Sequence, residues 1–86
     1  MDVYKAAAAL KSDLLSEGWS NVKIAVKTRQ FGEMNHTTFY SFQIEGDTPE
    51  GIPVSALFGE YFEWSSLYYA ASGDLMGKVG DLTNAG

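Results

Sequence analysis

The sequence predicts an α+β domain in which an N-terminal and a C-terminal helix pack on a β-hairpin or a three-stranded antiparallel sheet. The chain order is therefore α-β-β-α or α-β-β-β-α. Three observations carry this reading. Apolar residues recur every three or four positions in the first seventeen residues. Two later segments alternate with a period of two, and an aromatic-rich segment near the C-terminus returns to helical spacing.

From Asp2 to Glu17, Val3, Ala7, Leu10 and Leu14 form an apolar stripe that Tyr4, Ala8 and Leu15 widen. Asp2 suits an N-cap, the alanine run favours helix, and Gly18 stands where a left-handed residue ends one. Between Asn21 and Arg29 the period changes to two. Val22, Ile24, Val26 and Thr28 then share one face, and Lys23, Ala25, Lys27 and Arg29 the other. A second alternation runs from Thr37 to Glu45 and sets Thr38, Tyr40, Phe42 and Ile44 against Phe39, Ser41, Gln43 and Glu45. The link from Gln30 to His36 is short enough to make these strands an antiparallel hairpin.

Gly46 to Pro53 is turn chemistry. The next segment, Val54 to Ala71, supports two readings. At 100° per residue, Leu57, Phe58, Tyr61, Trp64, Ser65, Tyr68 and Tyr69 share one broad side while Glu60, Glu63 and Leu67 fall elsewhere, so a helix fits better. Gly59 opposes it, costing about 1 kcal/mol inside a helix. The alternative is a short strand, Ile52 to Phe58, followed by a helix from Glu60 to Ser72. The core then joins Val22, Ile24, Val26, Tyr40, Phe42 and Ile44 to Leu10, Leu14, Phe58, Tyr61 and Tyr68. Residues 1–72 form the domain. The glycine-rich segment 73–86 is expected to be irregular or frayed, although Leu75, Met76, Val79 and Leu82 have the side chains to dock.

Composition limits the function. Eighty-six residues hold one core. Cysteine is absent, which excludes disulfides, thiolate metal sites and cysteine nucleophiles. With no signal-peptide pattern and no apolar run near the ~20 residues that span a bilayer, a cytoplasmic location is expected. Net charge is −5 and uneven: residues 1–43 carry five basic and four acidic side chains, residues 44–86 one basic and seven acidic. That field repels phosphate backbones and attracts basic protein surfaces.

The candidate chemical motifs are weak. His36 has no neighbouring nucleophile and no second metal ligand. Glu60 and Glu63 lie close together on a helix, but a hydrolytic pair needs two carboxylates across a cleft with one held protonated by burial. Asp47 and Glu50 lack the ligand spacing of a calcium loop, and Gly73, Gly77 and Gly80 with Lys78 lack that of a phosphate loop. Lys23, Lys27 and Arg29 beside Phe39 make the best case for nucleic acid, against a solvated sheet face pairing with Glu45. No catalytic residue, metal or cofactor is expected.

A protein partner is. Phe58 to Tyr69 holds half of the twelve aromatic residues, and on a helix they cover roughly 160°, more than the ~100° stripe packing needs. Phe62, Trp64 and Tyr69 lie at the margins, where rings stay partly exposed. With Glu60 and Glu63 among them, they have the composition of a recognition patch for a basic protein. The chain as a whole, compact, acidic and without cysteine, with Glu45, Asp47, Glu50, Glu60 and Glu63 beside Tyr61, Trp64 and Tyr69, resembles phage-encoded anti-defence proteins of the anti-CRISPR type. The resemblance is one of size and charge, not of motif. It implies an inhibitor that blocks the nucleic-acid-binding surface of a nuclease complex by setting carboxylates where phosphates bind, working in the host cytoplasm. The other expectation is a small adaptor or assembly subunit that docks or self-associates through the aromatic flank, its acids serving solubility.

Overall fold

The chain folds as α1 (Val3–Ser16), β1 (Ser20–Phe31), β2 (Thr37–Asp47), β3 (Pro53–Tyr61) and α2 (Trp64–Ala85). This computed structural model describes residues 2–32 and 37–85, with the backbone alone at 31 and 77–85. The strands form one antiparallel sheet in the order β1-β2-β3. Both helices pack on one face of it, α1 against β1 and α2 against β3 and β2. The α-β-β-β-α order is the three-stranded form of the expected fold.

Local chemistry sets the ends of α1. The Asp2 carboxylate accepts a hydrogen bond from Lys5 N at 2.8 Å, satisfying one of the unpaired N–H groups of the first turn. At the other end Gly18 takes φ +99, and Gly18 N and Trp19 N donate to Leu15 O and Leu14 O at 3.1 and 3.0 Å. These paired bonds close a helix on a left-handed residue and turn the chain toward the sheet. Trp19 is thereby delivered into the core, 3% exposed, a position the strand alternation does not reach.

The hairpin follows its sequence pattern. Ile24, Val26 and Thr28 lie opposite Ile44, Phe42 and Tyr40 on the inner face, with Lys23, Lys27 and Arg29 opposite Glu45, Ser41 and Phe39 on the outer. Phe42 and Ile44 are fully buried and join Leu10, Leu14, Trp19, Val22, Leu67, Ala71 and Leu75 in one core. In α1, Val3, Ala7, Leu10 and Leu14 face inward as expected. Tyr4 and Leu15, however, are 65% and 47% exposed and belong to the solvent side, the buried stripe being completed instead by Ala6.

The favoured helix across Val54–Ala71 is corrected. Val54, Ala56 and Phe58 lie opposite Gly46, Ile44 and Phe42, so this segment is the third strand and the helix begins only at Trp64. Helical periodicity and strand alternation both place Phe58 inward. Cross-strand pairing on Phe42 and Ile44 decides between them, because it satisfies the open edge of β2, which no helix does. The strand expected over Ile52 to Phe58 runs from Pro53 and continues to Tyr61, through a bulge at which Gly59 and Glu60 both oppose Ser41. Gly59 is required there: it has φ +150, and a Cβ would stand 2.8 Å from the Ser41 Cβ and 3.1 Å from its Cα.

The later start changes which residues α2 buries. Leu67, Ala71 and Leu75 are fully buried and Trp64, Tyr68 and Met76 partly so, a stripe at three- and four-residue steps. Leu67, expected outside, is core, and Tyr61, expected in the core, is 36% exposed at the end of an edge strand. Beyond Gly73, where an irregular or frayed end is expected, α2 continues to Ala85, and Leu75 and Met76 dock on the core.

Candidate partner-binding surface

The acids expected to share a surface with the rings are distributed by the strand register. Glu45 and Asp47 lie on the outer face of β2, and Asp47 accepts a hydrogen bond from Asn21 Nδ2 at 2.8 Å. Glu50 is exposed in the β2–β3 turn, where Thr48 N and Gly51 N bond to Ile52 O and Thr48 O. Glu60 lies at the far end of β3 and Glu63 in the joint before α2. Glu45 pairs with Ser55, so Glu60 stands five residues further along β3, about 17 Å at the usual strand rise. Glu45, Asp47 and Glu50 thus cluster at one end of the sheet and Glu60 and Glu63 at the other. Neither carboxylate of the latter pair is helical, so the expected pairing on one helix face is not formed.

The outer sheet face is also balanced in charge. Lys23 lies opposite Glu45, and Arg29 donates to Glu60 Oε1 at 2.8 Å across β2. Three cations there face Glu45, Asp47 and Glu60, the arrangement of a solvated sheet face with cross-strand pairing. A cavity of about 420 Å³ between Lys27, Arg29, Ser41, Leu57 and Glu60 opens on this face, with one carboxylate already engaged. His36 lies outside the described residues. Among the described residues, no group of three acidic or histidine side chains is placed to hold a metal ion. Nor is any helix long and apolar enough to cross a membrane.

The rings come together on the helical side. Trp64, Ser65, Tyr68 and Tyr69 of α2 and Ala9 of α1 line a cleft of about 250 Å³. Trp64 and Tyr68, like Ser65 and Tyr69, are separated by four residues and so rise along adjoining rows of one helix face. The Tyr68 and Tyr69 rings meet edge to face with centroids 5.5 Å apart. Tyr69 is 73% exposed and Phe62, two residues before α2, 63%.

The Tyr68 hydroxyl donates to Asp13 Oδ2, tying α2 to α1 at the cleft wall. This bond to a carboxylate, with burial and the charge of Asp13 adding to it, raises the Tyr68 pKa above that of a free phenol. The site's smallest member, Ala9, was not singled out in the sequence. Its only signal is its place in the alanine run from Ala6 to Ala9.

The fold and this surface define a small α+β domain with an aromatic cleft between its helices. Compared with known proteins, the chain matches no family model, no curated protein and no solved structure.

Proposed function

We propose that this chain is a non-enzymatic protein-binding module that holds its partner through the aromatic face of α2. The observation that carries the reading is the cleft between α1 and α2, with Tyr69 standing 73% exposed at its edge and Phe62 63% exposed near the start of the helix. Isolated surface rings are ordinary, but rings grouped around a concavity supply contact area at low entropic cost and are enriched at interface hot spots. Charge supports the same side. Among the residues whose side chains are described, the helical layer carries Asp2, Asp13, Glu17 and Asp74 against Lys5 and Lys11, with Glu63 in the joint before α2, whereas the three cations of the outer sheet face are matched by Glu45, Asp47 and Glu60. A basic partner is steered toward the helices.

The narrower form of this proposal is a phage-encoded anti-defence inhibitor of the anti-CRISPR type, acting on a nuclease complex. The division of the carboxylates between two ends of the sheet favours contact through rings, with acids steering, over a continuous row that imitates a phosphate backbone. An adaptor or assembly subunit docking through the same rings is the second reading, favoured by the same division.

The test is partner capture from the native host by the full chain, by Tyr69→Ala and by Glu63→Lys, each at low and moderate salt. Loss of capture with Tyr69→Ala supports the aromatic surface, and capture untouched by either substitution overturns it. Steep weakening with salt, together with competition by nucleic acid for the captured complex, supports the inhibitor, and salt-insensitive capture supports the adaptor.

A further inference from the structure

We propose that the cleft between α1 and α2 takes the cationic end of a lysine or arginine side chain presented by the partner. The inference rests on reading the aromatic face as the contact surface and adds the chemistry of what enters it. Two walls are phenol rings set at 87° to each other, and Trp64 supplies a third aromatic surface one helical turn before Tyr68. Ring faces carry the negative part of the aromatic quadrupole, so a cation over them is attracted, and more strongly where water is partly excluded.

The carboxylates decide between a cationic and an apolar guest. Asp13 accepts the Tyr68 hydroxyl behind one wall, and exposed Glu63 directly precedes Trp64. Among the described residues, no lysine or arginine of this chain pairs with either acid. Neither acid lines the cleft, and Lys5 stands one turn before Ala9 on α1. With two carboxylates against one cation around the cleft, an apolar side chain gains the rings alone, whereas an ammonium or guanidinium on an alkyl stem gains the rings and a net negative field. Space for it exists because Ala9 contributes only a methyl group at this point of α1.

The experiment is an NMR titration of the full chain, followed at the Trp64 indole N–H with the buried Trp19 indole as internal control. The ligands are Nα-acetyl-arginine methylamide, Nα-acetyl-lysine methylamide and the neutral isosteres Nα-acetyl-citrulline methylamide and Nα-acetyl-norleucine methylamide. Saturable movement of Trp64 with either cation, at least about fivefold weaker with both neutral ligands, is the expected result. Ala9→Leu, which fills the cleft, and Tyr69→Ala, which removes an exposed wall, should each abolish it, while Asp13→Asn weakens it. Equal binding of the neutral ligands, persistence in Ala9→Leu, or no response to either cation overturns the proposal. If the cation fails while partner capture still depends on Tyr69, the contact surface stands without this guest. If capture is also indifferent to Tyr69, both fall.

Discussion

Truncating Leu67 and Tyr61 in parallel tests the packing of α2 and β3 most directly, because the two possible courses of this segment rank the pair in opposite order. Leu67 is fully buried in the core that α2 shares with α1 and the sheet, and its change to alanine costs the transfer energy of the deleted atoms plus a cavity term, together about 3 kcal/mol. Tyr61, 36% exposed at the end of edge strand β3 opposite Tyr40, loses a cross-strand contact of about 1 kcal/mol. A domain of this length has roughly 4–13 kcal/mol of total stability, so the first change consumes a large fraction of it and the second a small one. Urea unfolding followed by circular dichroism, with a slope of about 1 kcal/mol per molar, should show a midpoint about 3 M lower for Leu67→Ala and about 1 M lower for Tyr61→Ala. Equal shifts, or a greater loss with Tyr61→Ala, would refute a helix beginning at Trp64 and restore a continuous helix through Tyr61.

Gly59→Ala should destabilise by about 2 kcal/mol or more, read as a lower melting temperature, because a Cβ at φ +150 drives into Ser41; a variant as stable as wild type contradicts the bulge. Arg29→Ala should cost under about 1 kcal/mol in the same assay, since its ion pair with Glu60 joins side chains 60% and 35% exposed. The Tyr68 pKa is raised on folding, so the neutral phenol is the form the fold favours; its stabilisation is complete below the ordinary value of 10.0 and disappears as pH rises through the higher folded value. Tyr68→Phe should therefore lower stability by about 1 kcal/mol at neutral pH and flatten the loss seen above pH 10, and parallel alkaline profiles for the two proteins would discount the Asp13 bond.

How much of the molecule was legible in its sequence depended on how local the deciding interactions were. The first helix was readable with both ends because its cap, its alanines and its closing glycine act within a few residues of one another. The hairpin was readable because a buried face imposes alternation on both strands, and a slip of one residue would turn Phe42 and Ile44 outward. The candidate site was readable in part. The rings of Trp64 and Tyr69 were legible as members of one face, but their neighbour Ala9 was not, because its contribution is the space it leaves. The acids were identifiable as residues and not as a surface, because whether Glu45 lies near Glu60 depends on strand direction.

The sequence by itself therefore determined the α+β class, the first helix, the hairpin and the acidic, cysteine-free chemistry, since each follows from short-range periodicity or composition. Only the tertiary structure decided that Val54–Tyr61 is a strand, that Leu67 rather than Tyr61 is buried, that Trp19 enters the core and that an open cleft separates the two helices. The physical reason is that Val54 to Phe58 satisfies both periodicities. The backbone groups on the free edge of β2 needed a partner, and pairing there set the phase of everything that follows.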